Sequence, residues 1–155
     1  PSRGLGDVYK RQLLHTRDEL VEYCTVFDRF YPGLVQRYVP SPDGSDVRVA
    51  VVGGHAVAAM KRSSPAGDFR ANIALGGVGT GYELNDAVRR VAEDAARAVG
   101  ADVAGVDVLG ADTDSPMVCE VNSCPQFVGL ESSCKIDFPG AVLDHIERAL
   151  VWTAR

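Results

Sequence analysis

The chain has 155 residues and a net charge of −5 at pH 7; 46% of its residues are hydrophobic and 24% are charged. This length fits one domain with a core of its own, and the acidic balance argues against a general role on nucleic acid or a membrane surface. The sequence shows no basic block, no apolar stretch near twenty residues and no signal-peptide pattern, so we expect a cytoplasmic protein.

The first twelve residues differ from the rest of the chain. They lack an initiator Met and show no apolar period. We therefore expect residues 1–12 to be a non-native or junction segment, and residues 13–155 to be a partial domain.

The N-terminal part predicts one helix and one strand. Thr16 precedes Glu19 in the manner of a helix N-cap, and apolar spacing predicts a helix over 17–29. A Tyr-Pro-Gly turn follows, and the apolar run 34–39 then predicts a strand.

The middle of the chain predicts a hairpin, a loop and a helix. Two β-rich runs, 46–52 and 55–61, flank Gly53-Gly54, which is a two-residue hairpin signal. Residues 62–82 are polar and Gly-rich, and we interpret Gly76 to Gly81 as a flexible loop. Asn85 is the predicted N-cap of the next helix.

The C-terminal part predicts two strands and a last helix. The strands are Val103-Ala-Gly-Val-Asp-Val-Leu109 and Met117-Val-Cys-Glu-Val-Asn122, and the helix covers 139–152, with His145 at the edge of the core. The order of elements predicts an α+β fold, with a largely antiparallel sheet and helices packed on one side.

The four cysteines lack the paired spacing of a zinc site. Cys24 and Cys119 lie in apolar stretches, so we expect both to be buried free thiols.

Three oxygen ligands stand out within the last two strands. Glu120 and Asn122 alternate along one strand and so share a face, and Asp107 would join them if its strand were the neighbour. Two carboxylates and an amide carbonyl suit a hard cation such as Mg²⁺. The alternative is that these carboxylates lie on the solvent face of a half-buried sheet.

Several blocks of this sequence resemble the C-terminal half of the ATP-grasp ligases, specifically the RimK-like carboxylate–amine ligases that add glutamate or related amino acids. The resemblance covers roughly residues 20–150. It rests on four stretches in order: Gln36-Arg-Tyr-Val-Pro40; Asp46-Val-Arg48; Gly67-Asp-Phe-Arg-Ala-Asn72 with Gly76-Gly77; and Val103-Ala-Gly-Val-Asp107 followed by Glu120-Val-Asn122.

The resemblance implies a role for each block. The hinge segment around Arg37, Tyr38 and Val39 would meet adenine through its backbone, and Asp46 would contact ATP. Arg70, Ala71 and Asn72 would lie against the phosphates or the acyl-phosphate, and Arg62 is a second candidate clamp, against the alternative of a solvated surface arginine. Asp107, Glu120 and Asn122 match the family's Mg²⁺ ligands.

The implied cofactors are ATP and Mg²⁺, with Mn²⁺ as an alternative and two ions expected. The implied reaction has two steps: a carboxylate attacks the γ-phosphate of ATP, and an amine then attacks the acyl-phosphate to form an amide. Expected partners are ATP, a carboxylate and an amino-acid substrate, with a protein C-terminus and a homo-oligomer left open. Because the family's N-terminal domain and first phosphate loop have no counterpart here, we expect weak ATP binding at best and no turnover. A non-catalytic nucleotide-binding module is the alternative function.

Overall fold

The computed structural model describes residues 12–27, 34–41, 44–63 and 78–153. The chain divides into two compact units, 1–39 and 40–155, and each is described by itself. Most of the segment 1–12 and the whole of Arg70, Ala71 and Asn72 lie outside the described residues.

The first unit contains helix α1, Arg17–Phe27. The Thr16 hydroxyl oxygen accepts a hydrogen bond from the Glu19 backbone N–H at 3.1 Å, which confirms the predicted N-cap. The predicted strand over 34–39 is wrong, because these residues join none of the ladders of the described sheet. An apolar run favours extended backbone, but a strand also needs a partner ladder, and the sequence pattern does not supply one.

The second unit is built on a five-stranded sheet in which every ladder is antiparallel. Its order is β3-β2-β1-β4-β5, which places the first hairpin beside the two C-terminal strands. The strands are β1 (Ser45–Val52), β2 (His55–Ser63), β3 (Val78–Gly81), β4 (Val103–Leu109) and β5 (Met117–Asn122).

The β1–β2 hairpin turns at Gly53 and Gly54, as predicted. Their φ angles are +58° and +81°, and two successive residues with positive φ are typical of a type I′ turn. The half-buried His145 lies against this turn, since a Cβ at Gly53 would stand 2.5 Å from its Nδ1 atom. His145 is therefore at the edge of the core, as expected.

The interpretation of Gly76 to Gly81 as a flexible loop is wrong where the structure describes it. Val78–Gly81 forms strand β3, which pairs with Met60 to Ser63 of β2. The outer edge of β2 offers backbone donors and acceptors, and an adjacent segment can satisfy them whatever its glycine content.

Helix α2, Asp86–Ala98, covers one face of the sheet. The Asn85 side-chain oxygen accepts from the Val88 backbone N–H at 2.9 Å, so the predicted N-cap is confirmed. The core on this face is made of small and β-branched side chains from α2, β1, β2 and β4: Val47, Val49, Val51, Ala59, Val88, Ala92, Ala96, Ala104, Val106 and Val108.

Helices α3 (Val128–Cys134) and α4 (Phe138–Thr153) contribute to the core on the opposite face. There Leu130 and Phe138 pack with Ala50, Val52 and Met60. The α+β class and the antiparallel sheet are confirmed, but the helices lie on both faces rather than on one side. Strand β1 is apolar toward both faces, so each face needs a cover.

Sequence reasoning missed α3, whose seven residues include glycine and serine and show no helical period. Among the described residues all four cysteines are free thiols; Cys24 is exposed and Cys119 is half-buried, so neither is the buried thiol expected. None of the described helices is long and apolar enough to cross a bilayer.

Candidate functional site

A row of charged and polar side chains crosses four strands on the sheet face that also carries Met60. Cross-strand partners in a sheet point to the same face. The ladder partners are Asp46 with Arg62, Arg48 with Asp107, Asp107 with Glu120, and Gly105 with Asn122. This face is thus apolar at one end, under α3 and α4, and polar at the other.

Asp107 is held by two arginines. Its Oδ1 accepts from Arg48 Nε at 2.7 Å, and its Oδ2 accepts from Arg48 Nη2 at 2.8 Å. Arg62 Nη2 lies 2.8 Å from the same Oδ2. Only 9% of the Asp107 side chain is exposed, so hydrogen bonds from the two arginines replace most of the hydration of this carboxylate.

Arg62 joins this pair to Asp46. Its Nε donates to Asp46 Oδ1 at 2.7 Å, and its Nη2 donates to Asp46 Oδ2. Only 7% of the Arg62 side chain is exposed, so the alternative of a solvated surface arginine is wrong. We call Asp46, Arg48, Arg62 and Asp107 the charged cluster. No buried side-chain nitrogen or oxygen in the described part of the chain lacks a hydrogen-bond partner.

The two carboxyl groups of the charged cluster are shifted in opposite directions. Burial alone would raise the pKa of Asp107, but the hydrogen bond from Arg48 and the charge of Arg62 outweigh it, so this pKa lies below 3.8. Burial raises the pKa of Asp46 above 3.8, because the bond from Arg62 offsets only part of the desolvation and Asp107 repels it. Burial alone would lower the pKa of Arg62, but the hydrogen bond to Asp46 and the charge of Asp107 raise it above its ordinary value.

Glu120 and Asn122 complete the polar end on β5. Glu120 stands opposite Asp107, and a β-bulge lies directly beside this pair in the β4–β5 ladder. Asn122 Oδ1 accepts from the Cys124 backbone N–H at 3.0 Å, which turns the chain out of the sheet. Pro125 then lies over Gly105, where a Cβ would stand only 2.8 Å from the proline Cβ.

The donor set fits a hard cation in chemistry and in placement, since two carboxylates and an amide oxygen share one face. The described residues contain no group of three or more His, Cys, Asp or Glu side chains that could hold a metal ion. The candidate set contains only two such side chains, Asp107 and Glu120, and both Asp107 oxygens accept hydrogen bonds from a guanidinium group. A cation would therefore replace contacts that already exist.

Five predicted site residues lie on this one face: Asp46, Arg62, Asp107, Glu120 and Asn122. The hinge residues Arg37, Tyr38 and Val39 belong to the other compact unit, so their roles stay predictions. The roles of Arg70, Ala71 and Asn72 also stay predictions, because these residues lie outside the described part.

Sequence reasoning did not select Arg48 as a site residue. The sequence does place Arg48 on the same strand face as Asp46, because the two residues are two positions apart. What the sequence could not show was that β1 would lie next to β4, with Arg48 opposite Asp107.

The chain is similar to curated proteins named as glutamate ligases. It is 41% identical over 117 residues to "Probable alpha-L-glutamate ligase" of Xanthomonas oryzae pv. oryzae (strain MAFF 311018), covering 76% of this chain and 39% of that protein. It is 42% identical over 115 residues to "Probable alpha-L-glutamate ligase 1" of Shewanella sp. (strain ANA-3), covering 74% and 38%. The chain thus spans about two-fifths of the length of these relatives.

Two solved structures are similar in fold. The ATP-grasp ligase PsnB, complexed with minimal precursor, Mg and ADP, matches with a TM-score of 0.54 and 26% identity over 72% of this chain and 33% of that one. The D-alanine–D-alanine ligase of Bacillus anthracis, complexed with ATP, matches with a TM-score of 0.58 over 88% and 42%; at 20% identity it supports the fold alone. The family model of the RimK-like ATP-grasp domain matches residues 10–146, and the chain therefore belongs to the RimK-like ATP-grasp family.

Proposed function

We propose that this chain is the metal- and nucleotide-binding part of an ATP-dependent carboxylate–amine ligase that adds glutamate or a related amino acid. The observation that carries the proposal is the polar end of the sheet, where Asp107, Glu120 and Asn122 share one face with Arg48 and Arg62. The glutamate ligase relatives and the Mg- and ADP-bound PsnB structure support the same chemistry.

The residues have separate roles in this proposal. Asp107, Glu120 and Asn122 would hold Mg²⁺, with Mn²⁺ as an alternative and two ions expected. A bound ion of this kind supplies charge neutralisation for the phosphates. Arg62, together with Arg70 of the 64–77 segment, would bind phosphate oxygens, because a guanidinium donates two parallel hydrogen bonds to such groups. Asp46 would contact the nucleotide. It would also hold Arg62 in place through the hydrogen bond that Arg62 Nε donates to Asp46 Oδ1.

The nucleotide's other contacts would come from Arg37, Tyr38 and Val39 at the adenine, and from Ala71 and Asn72 at the phosphates. The substrate carboxylate would attack the γ-phosphate and release ADP, and an amine would then displace phosphate from the acyl-phosphate to form the amide. Positioning and charge stabilisation would supply the rate enhancement, so the mechanism needs no nucleophilic side chain.

The acid substrate is open within this proposal. PsnB has been solved with a precursor peptide, which supports a peptide or a protein C-terminus as the carboxylate substrate here. A cytoplasmic location and a homo-oligomer remain predictions.

The test is calorimetric titration of the chain with ADP in the presence and absence of Mg²⁺. We expect Mg²⁺-dependent binding in the wild type and its loss in Glu120→Gln, which keeps the shape of the side chain but removes its charge. Glu147→Gln is the matched control, since Glu147 is an exposed residue of α4. Binding that is equal with and without Mg²⁺, or equal in both variants, would refute the assignment of Glu120.

The second candidate is a nucleotide-binding module without catalysis. It is favoured by the engagement of both Asp107 oxygens with Arg48, which a cation would have to displace. Because we expect no turnover from this chain alone, the Mg²⁺ dependence of ADP binding separates the two candidates. The ligase part should bind ADP more tightly with Mg²⁺ and lose this gain in Glu120→Gln, whereas the second candidate should bind ADP equally with and without Mg²⁺.

A further inference from the structure

We propose that Arg48 is a positioning residue that occupies Asp107 as an internal counter-ion, so that cation binding at Asp107 depends on an anion drawing Arg48 away. This inference rests on the proposed function and adds a regulatory element to its metal site. It concerns Arg48, which lies in one of the motif stretches but was assigned no role from the sequence.

Arg48 is in direct contact with both oxygens of Asp107. Arg48 stands directly opposite Asp107 in the β1–β4 ladder and engages both carboxylate oxygens, at 2.7 and 2.8 Å. Arg62 adds a third contact at 2.8 Å. Both oxygens that a cation would use are therefore already hydrogen-bonded.

The charged cluster is formally neutral. The charged cluster contains two carboxylates and two guanidinium groups, so its formal charges cancel before any ligand arrives. Only 16% of the Arg48 side chain and 9% of the Asp107 side chain are exposed. A cation that took the Asp107 oxygens from Arg48 would lie beside two guanidinium groups, and water would screen their repulsion poorly.

A bound anion would remove this repulsion. Phosphate oxygens accept the same paired hydrogen bonds from a guanidinium as a carboxylate does. An anion bound on this face would compete with Asp107 for Arg48 and free the carboxylate for a cation. Because binding free energies are reciprocal, the cation would strengthen anion binding by the same factor.

A purely structural ion pair makes a different prediction. If Arg48 only stabilised the sheet, replacing it would lower the melting temperature and leave cation affinity unchanged, apart from the general effect of losing one positive charge. The experiment therefore needs a control that loses the same charge elsewhere.

The experiment is a titration of the full chain with Mn²⁺, followed by the electron paramagnetic resonance signal of the free ion, without nucleotide. The variants are Arg48→Met, Asp107→Asn and the control Arg97→Met, whose arginine pairs with Asp94 on the exposed side of α2. We expect Arg48→Met to bind Mn²⁺ at least about tenfold more tightly than Arg97→Met. A tenfold change in affinity is only a modest part of the repulsion between a cation and a guanidinium group in contact with it. Asp107→Asn should bind more weakly than either.

Equal Mn²⁺ affinity in Arg48→Met and Arg97→Met, or no Mn²⁺ binding by a folded Arg48→Met, overturns the proposal. Circular dichroism and thermal melting establish folding. If Arg48→Met does not fold, Arg48→Lys replaces it, because a lysine keeps the charge but cannot engage both oxygens with a planar group. The lysine variant should then bind Mn²⁺ more tightly than wild type, and equal affinity overturns the proposal.

A second readout separates this inference from the proposed function. In the wild type, saturating Mn²⁺ should raise ADP affinity by a larger factor than in Arg48→Met. Wild-type protein that binds no ADP at any Mn²⁺ concentration contradicts the proposed function. Wild-type protein with normal Mn²⁺-dependent ADP binding, together with equal coupling in Arg48→Met, contradicts only the role of Arg48.

Discussion

Arg48 on the central strand β1 faces Asp107 on the neighbouring strand β4, and the guanidinium donates to both oxygens of the carboxylate at 2.7 and 2.8 Å. Their side chains are 16% and 9% exposed, so the pair lies largely out of water. One interaction therefore joins β1 to β4 on the polar face and also engages the central oxygen ligand of the candidate metal site.

Asp107→Asn should destabilise the protein. The substitution removes the charge that balances Arg48 and Arg62, and loss of one partner from a buried ion pair costs on the order of 3 kcal/mol. Urea unfolding at pH 7 measures the change. The control Asp94→Asn, at an exposed pair with Arg97, should change the free energy of unfolding by less than about 0.5 kcal/mol. Similar losses in the two variants would contradict the importance of burial.

As pH is lowered below about 4, the free energy of unfolding of the wild type should decrease more than that of Asp107→Asn. The pKa of Asp107 is lowered in the folded state, so the unfolded chain binds more protons in this window, and acid favours unfolding. The stabilisation is present above the unfolded-state pKa and is lost as pH falls through the folded-state pKa. Urea unfolding at pH 5, 4 and 3 for both proteins measures the difference; parallel curves would contradict it.

Asp46→Asn should change the pH dependence with the opposite sign. The pKa of Asp46 is raised, so the folded state binds the proton first, and the cost of burying the charge is relieved as pH falls through this raised value. The wild type should therefore gain stability relative to Asp46→Asn as pH is lowered toward 4. A relative loss over the same range, measured by the same unfolding series, would show that the bond from Arg62 dominates instead.

Gly105→Ala should destabilise the turn that follows β5. Its Cβ would stand 2.8 Å from the Cβ of Pro125, and a ring atom has little freedom to move, so we expect a loss of about 1–3 kcal/mol from overpacking. Pro125→Gly removes the clashing atom, and the double variant should lose less than the sum of the two single variants. Additive losses in thermal unfolding would contradict the contact.

Asn85→Ala should weaken the start of α2. The substitution removes the bond from the Val88 N–H to the side-chain oxygen and those from Asn85 Nδ2 to Tyr82 and Ala111, and loss of a cap costs about 1 kcal/mol. Asn85→Asp keeps the accepting oxygen and should recover most of the capping free energy. Equal unfolding midpoints for the Ala and Asp variants would show that the cap contributes little.

Several elements could be read from the residues because their signals are local. The Gly53-Gly54 turn needs positive φ at both positions, the Asn85 cap needs a short side-chain oxygen, and the bounds of β4 and β5 follow the two apolar runs. The shared face of Glu120 and Asn122 likewise follows from the alternation of a strand.

The elements that sequence reasoning missed depend on partners distant in the chain. Strand β3 exists in the described structure because β2 offers it an edge, and residues 34–39 form no strand although their pattern favours one. Helix α3 has a weak pattern of its own, and its Leu130 is buried against the sheet.

The sequence by itself determined which polar residues this protein has and, through strand alternation, which of them share a face of their own strand. Only the tertiary structure decided that β1 lies beside β4, because strand order is set by packing of both sheet faces rather than by any local propensity. That order brings Arg48 to Asp107, and it joins two arginines and two carboxylates, from three strands, into one charged cluster.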